Sequence, residues 1–290
     1  MSKYLCYANL PPKITFRSDI YKNCENCYTM QMLVLFSGIY KYRQMIFSLV
    51  HKELRGRYKG SVLGFLWTFF NPLLQLVVYT FVFSILMRQN IEKYYLFLFV
   101  ALVPWIFFST CVAAGANCVF IYGDLVKKIY FPREVLPISF VTSQFVNMLY
   151  TFIVIFGVIL FTRHGVNFHA LLYLPAVMIV EYFLALGMTF LFSALTVYIR
   201  DVAHILGIVT MAWQFLTPVM YPSERVPAEY LAIWNLNPMT SVVETYRTIL
   251  YYKQIPDLRT LGLAAGMAVF FLAFGELVFS RLQKSFAENL

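Results

Sequence analysis

The apolar run from Val62 to Met87, interrupted by Asn71-Pro72 and Gln75, constrains this chain more than any other feature. At roughly 1.5 Å per residue a helix of this length exceeds a hydrocarbon core of ~30 Å, so it is expected to cross a membrane. The segment before it is of another kind. On a helical wheel Tyr42, Met45, Ile46, Leu49, Val50, Leu54 and Tyr58 share one face, and Lys41, Gln44, Ser48, His51, Lys52, Arg55 and Lys59 gather opposite. That pattern predicts a helix lying in the membrane interface. Glu53 and Arg57 stand on the apolar side at i and i+4, where they can pair with each other or face another subunit. The basic cluster at the start of the first span places residues 1–61 in the cytoplasm by the positive-inside rule.

Composition points the same way: 60% of the residues are hydrophobic and 13% charged, too apolar for one soluble core. The net charge of +9 does not indicate nucleic acid, because 10 of the 23 Lys and Arg precede Val62, where anionic head groups are the nearer partner. Residues 1–38 read as a solvated cytoplasmic tail, with a translation start at Met30 or Met32 as an alternative. Cys24 and Cys27 have CxxC spacing, but no second pair or nearby His completes a metal site.

The hydropathy pattern predicts an all-α integral membrane protein with six transmembrane helices in a domain over 62–280. An amphipathic interface helix over 39–61 precedes it and a cytoplasmic tail over 281–290 follows. The later spans are Tyr94 to Phe120, Ile138 to Phe161, Ala170 to Val197, Ile205 to about Val219, and Leu258 to Ser280. Between spans five and six, over 222–257, Ala228 to Leu236 and Met239 to Tyr252 are too short to cross and read as re-entrant half-helices. Asn237 is placed to cap the second, with Pro238 as its first residue. Segments assigned to the cytoplasm hold 16 Lys and Arg against 7 outside, which supports both termini being inside.

The loop Tyr122 to Pro137 mixes Lys127, Lys128, Arg133 and Glu134 with apolar Ile129, Tyr130 and Phe131, and Pro132 stops any helix there. A solvated loop has no use for the aromatics, so the expectation is an exposed docking surface. No catalytic constellation and no metal site is present: GxxxxGK[ST], HExxH and GxSxG are all absent, and the four His are scattered. Glu181 and Glu276 are the clear intramembrane charges. Glu276 is close enough to the inner end to reach Arg281; Glu181 is either a buried, hydrogen-bonded structural group or a neighbour of a polar pathway.

Residues Glu53 to Leu73, Leu125 to Pro137, Tyr198-Ile-Arg-Asp201, and Thr217-Pro-Val-Met-Tyr-Pro222 followed by Leu236-Asn-Pro-Met-Thr240 and Tyr246-Arg247 occur in that order. In these motifs, and over about residues 40–290, the chain resembles the permease subunits of ABC-type exporters for O-antigen, capsule and teichoic acid. The stretch before residue 30 departs from the family, whose members begin closer to the interface helix.

The resemblance implies a homodimer in the bacterial inner or plasma membrane. Two copies of a separate cytoplasmic ATPase would serve it and bind the ATP and Mg, so this chain itself holds no cofactor. The cargo would be a polyprenyl-lipid-linked polysaccharide. ATPase coupling would fall to Lys127, Lys128, Tyr130, Phe131, Pro132, Arg133 and Glu134, with Arg200 and Asp201 at a second contact. Lys52, Arg55, Arg57 and Lys59 would meet the lipid pyrophosphate. Candidate channel-lining residues are Trp67, Phe70, Tyr79, Phe83, Trp213, Phe215 and Tyr221, on the two spans next to the interface helix and the half-helices. A membrane-embedded transferase acting on polyprenyl phosphate lipids is the alternative, although Asp124 and Asp201 stand isolated where such an enzyme needs clustered Asp for a metal. A channel or secondary carrier lacks the intramembrane charges it would need.

Overall fold

The computed structural model describes residues 40–56, 60–86, 91–230, 234 and 236–290, and no strand occurs among them. Among the described residues five helical stretches are long and apolar enough to cross a membrane: Gly64–Ser84, Tyr94–Lys128, Val135–Phe161, Phe168–Tyr198 and Leu258–Ser285. The tail with Cys24 and Cys27, the start of the interface helix, Arg57, Lys59 and residues 231–233 and 235 of the first expected half-helix lie outside the described residues. Residues 45–290 form one unit, and the following concerns it.

In chain order the helices are α1 (Arg43–Gly56), α2 (Trp67–Thr80, continued by a π-helical turn over Phe81–Leu86), α3 (Tyr94–Ala113), α4 (Cys118–Ile121), α5 (Gly123–Lys128) and α6 (Val135–Phe161). After these come α7 (Phe168–Leu171), α8 (Leu174–Tyr198), α9 (Asp201–Leu216), α10 (Pro238–Leu250), α11 (Leu258–Leu282) and α12 (Phe286–Asn289). Helix α3 is apolar all round and buried over nearly its whole length, the signature of a central helix. Helices α2, α6, α8, α9 and α10 all pack against it.

Other helices show one side only. In α2 the buried residues are Thr68, Pro72 and Leu76, and in α9 they are Leu206 and Thr210, single stripes at i, i+4 spacing. The rest of each helix is largely exposed. Helix α11 meets the bundle through Ala264, Ala268, Gly275 and Phe279.

The most extensive helix pair is α8 with α11, and two glycines decide it. A Cβ placed on Gly275 would collide with the Gly187 carbonyl, and one on Gly187 would sit 2.5 Å from backbone atoms of Phe271 and Leu272. Between two apolar helices in lipid no hydrophobic gain drives association, so close backbone packing through small residues has to supply it.

Three helix starts are capped as their sequences dictate. Asn167, Asn237 and Asp257 each accept a hydrogen bond from the backbone N–H two residues on. For Asn237 this is the cap expected from the sequence, with Pro238 following.

The second expected span does not run straight. After Ala113 the helix tightens over Gly115–Asn117 and restarts as α4 and α5. The cause is a crossing: a Cβ on Gly115 would be 2.9 Å from Thr189 Cγ2, and the Thr189 hydroxyl donates to the Cys111 carbonyl at 3.0 Å. The fifth expected span is a helix of 16 residues, α9. At 1.5 Å per residue it measures about 24 Å, short of a ~30 Å core.

Gly275→Leu is expected to push α11 away from α8 and lower the thermal midpoint of the detergent-solubilised protein by several degrees, whereas Gly262→Leu, at a site with nothing within 4 Å of the added Cβ, leaves it unchanged. Equal midpoints for the two variants would contradict this account of the packing.

Candidate functional site

Basic residues and exposed aromatics collect at the end of the bundle where α5 finishes and α6 begins. Helix α1 reaches it from one side. Leu49 is its buried residue, and Lys52 and Arg55 are exposed, in agreement with the expected amphipathic faces. Lys52 lies 4.7 Å above the Tyr122 ring, and the Tyr122 hydroxyl donates to Glu53 at 2.9 Å. Glu53 therefore ties α1 to the turn before α5. Of the four cations proposed for a lipid head group, Lys52 and Arg55 stand one turn apart.

Helix α5 ends at Lys128 because Ile129 turns extended, and Pro132 keeps the chain out of helix until Val135. In the stretch between, Tyr130 is 96% exposed and Ile129 is exposed as well, but Phe131 is only 6% exposed. The expectation of three exposed apolar side chains is thus corrected. Consecutive side chains of an extended segment point to opposite sides, so burying Phe131 presents Tyr130 outward. Glu134 accepts a hydrogen bond from Gln283 at 2.8 Å, and Arg133 lies 5.9 Å from the Phe286 ring. Arg200, in the turn between α8 and α9, stacks 4.9 Å over Phe120, and Asp201 opens α9 beside it. Both expected coupling segments therefore lie at one end of the bundle.

The aromatic residues proposed to line a path divide into two groups. Phe70 and Phe215 are exposed on the open faces of α2 and α9. Tyr79 accepts from Gln214 at 3.4 Å, a bond between these two helices. Trp213 instead turns inward: its indole N–H donates to Asn237 at 3.0 Å and its ring meets Phe108 edge-on at 5.3 Å. Trp67 donates to Ser61 at 3.0 Å, Phe83 lies 6.5 Å from Tyr94, and Tyr221 donates to the Phe215 carbonyl at 2.9 Å.

At the opposite end sits a constellation that sequence reasoning missed. Past α9 the chain leaves its helix at Thr217, and the freed carbonyls find Arg247. This fully buried guanidinium donates to the Val219 carbonyl at 2.6 Å, to the Tyr221 carbonyl at 3.2 Å and to Glu244 at 3.3 Å, and it stacks 3.8 Å over Phe97. Ser223 donates to Glu244 at 2.6 Å, and Tyr94 donates to the Met220 carbonyl at 2.8 Å. Burial pulls Arg247 down to about 10, with Glu244 acting the other way, so it stays charged at neutral pH. Next to it Tyr246 donates to Glu181 at 2.6 Å. Glu181 is fully buried, which agrees with the hydrogen-bonded structural reading of that residue. The signal was in the chain: Glu244 and Arg247 stand at i and i+3 in a segment expected at membrane depth, where charges require partners. Glu276 is half-buried, and the Arg247–Glu244 pair is the one ion pair among the described residues, so Glu276 does not pair with Arg281.

The family pattern of ABC-2 type transporters matches residues 44–251, which takes in α1 through α10. The chain belongs to this family. As an ABC-2 type transporter with five helices able to cross a bilayer, it is a multi-pass membrane protein. It is 36% identical over 261 residues to an O-antigen export system permease protein of Myxococcus xanthus, a match covering 89% of this chain and 100% of the relative. An O-antigen export system permease protein of Klebsiella pneumoniae is 30% identical over 83% of this chain and 93% of its own length. A polysialic acid transport protein of Escherichia coli is 21% identical over 73% of this chain and 83% of its own length. The family match extends through both the α5–α6 junction and Arg247 of this ABC-2 transporter.

Arg247→Lys is expected to destabilise the protein nearly as much as Arg247→Ala, by about 3 kcal/mol or more. One ammonium cannot reach two carbonyls and a carboxylate while lying flat on Phe97. Thermal unfolding in detergent measures it, and a wild-type midpoint for Arg247→Lys would reduce the residue to a simple point charge.

Proposed function

We infer that this chain is the transmembrane permease subunit of an ATP-driven exporter that moves a polysaccharide across a bacterial cell membrane. Two relatives named as O-antigen export permeases match it over more than four-fifths of its length, and the polysialic acid transport protein is a more distant relative on the same pattern. The sequence has no phosphate loop of its own, so the energy comes from a separate ATPase subunit that binds ATP and Mg. The loop from Lys127 to Glu134 receives that subunit, with Arg200 and Asp201 at the second contact. The observation that carries this role is Tyr130, an aromatic side chain almost wholly exposed next to the buried Phe131.

The finer reading is a homodimer carrying two ATPase copies. The one-sided burial of α2 and α9 favours it, because each helix leaves a broad face open that a second copy and a sugar chain between them would cover. In that arrangement α9 together with Thr217 to Tyr221 makes the fifth of six spans, and α10 is the second re-entrant half-helix. Both termini are cytoplasmic, and Lys52, Arg55, Arg57 and Lys59 meet the pyrophosphate of a polyprenyl-linked chain before it enters the path. Phe70 and Phe215 offer the sugars aromatic faces without fixed hydrogen-bond partners. Arg grips phosphate oxygens through two N–H groups where Lys cannot, which suits Arg55 and Arg57 to that role.

Tyr130→Ala should insert into the membrane normally, fail to co-purify with the ATPase subunit and lose export. Normal co-purification and export by this variant would remove the loop from the coupling mechanism and with it the reading of this end of the bundle.

A further inference from the structure

The segment after α11 does not trail away from the bundle. Tyr198 donates to the Leu282 carbonyl at 2.8 Å, fixing the end of α11 to the end of α8. A 3-10 turn over Gln283–Ser285 then leads into α12, and Phe286 packs into the bundle with no exposed surface at all. Its ring meets Phe279 edge-on at 5.4 Å and Tyr198 at 6.3 Å. The guanidinium of Arg133 lies over it, and Gln283 donates to Glu134. Helix α12 packs against α5 and α8, and the Leu290 side chain comes within 3.7 Å of where a Cβ on Gly123 would stand. One short segment thus touches α5, the Arg133-Glu134 stretch and the end of α8, three elements that sequence order separates widely.

A fully buried Phe stabilises its surroundings through the apolar surface it removes from water and the contacts it fills. The residues around it gain this only while the segment stays folded against the loop. Without that backing, Ile129 to Glu134 has no helix of its own to hold it, and Tyr130 would sample many directions.

We propose that residues 283–290 are a latch that forms part of the ATPase docking platform: they hold the Ile129–Glu134 loop and the Tyr198–Asp201 turn as one body, so that Tyr130 is presented in a fixed direction to the ATPase subunit. This rests on the docking role given to Tyr130 above. Gln283 and Phe286 act as positioning residues and need not touch the partner themselves. If removing the latch leaves the loop correctly placed about one-tenth of the time, apparent affinity for the ATPase falls roughly tenfold.

The test uses the permease in nanodiscs and the purified ATPase subunit of the same exporter, with binding and thermal midpoint measured for each variant. Gln283→Glu sets two carboxylates at hydrogen-bond distance and should weaken binding roughly tenfold. The midpoint should stay near wild type, because this pair is only half-buried. Measured against Glu134→Gln alone, adding Gln283→Glu should cost no further binding, an outcome that general destabilisation would not produce. Phe286→Ala should weaken binding similarly, and Phe286→Leu, which refills most of the space, should recover it. Wild-type binding by Gln283→Glu and Phe286→Ala, in a system where Tyr130→Ala has lost binding, overturns the latch and leaves the docking reading standing. Wild-type binding by Tyr130→Ala overturns the docking reading itself.

Discussion

A chain inside an apolar bundle can leave its helix only where something takes up the carbonyls it frees, and here that work falls to Arg247. The carbonyls of Val219 and Tyr221 need donors, and the guanidinium gives them while lying flat on Phe97, with Tyr94 serving the Met220 carbonyl between them. Glu244 balances the charge and is itself held by Ser223. This arrangement permits α9 to stop short of a full crossing and α10 to begin beside it, capped by Asn237, whose side chain also receives the indole of Trp213. A network tied at this many points is rigid, so the open face of α9 is attached to a fixed base at one end.

The other end of the bundle is assembled differently. There the fastenings are aromatic rings, a tyrosine on a helix-terminal carbonyl and the Gln283–Glu134 bond, all close to the surface. Force applied at Tyr130 would pass through Phe131 and the latch to α8 and α11. These two helices are joined by backbone contact at Gly187 and Gly275 and have little freedom to slide apart. Helices α2 and α9, by contrast, touch the bundle along single stripes. They are the elements whose separation would cost least.

The sequence made the helical class and most crossing segments legible, because long apolar runs admit few alternatives in a membrane. The Asn237-Pro238 start could be read for a local reason: both residue types act on the backbone next to them. Phe131 could not, since its charged neighbours suggested exposure and only the tertiary contacts decide which side of an extended segment is covered. Trp213 belongs to the same class, an aromatic on an exposed helix whose indole is claimed by a residue 24 positions away. The latch left only a faint trace: residues 281–290 look like a polar tail, although Leu282, Phe286 and Leu290 recur at every fourth position, a pattern too short to stand out. Arg247 was visible as a charge three positions after Glu244, but its other partners are backbone carbonyls, which no pattern of side chains reveals.

The central claim, a permease whose path runs along the open faces of α2 and α9, is tested most directly by single cysteines in a background without the native ones. Phe215→Cys on α9 is compared with Phe270→Cys on the exposed face of α11, both in proteoliposomes with the ATPase subunit and a membrane-impermeant thiol reagent. Labelling of the Phe215 site that changes with nucleotide, beside a Phe270 site unlabelled in every state, is the result this account predicts. A Phe215 site that never reacts while Phe270 does would move the path to another face of the bundle and contradict it.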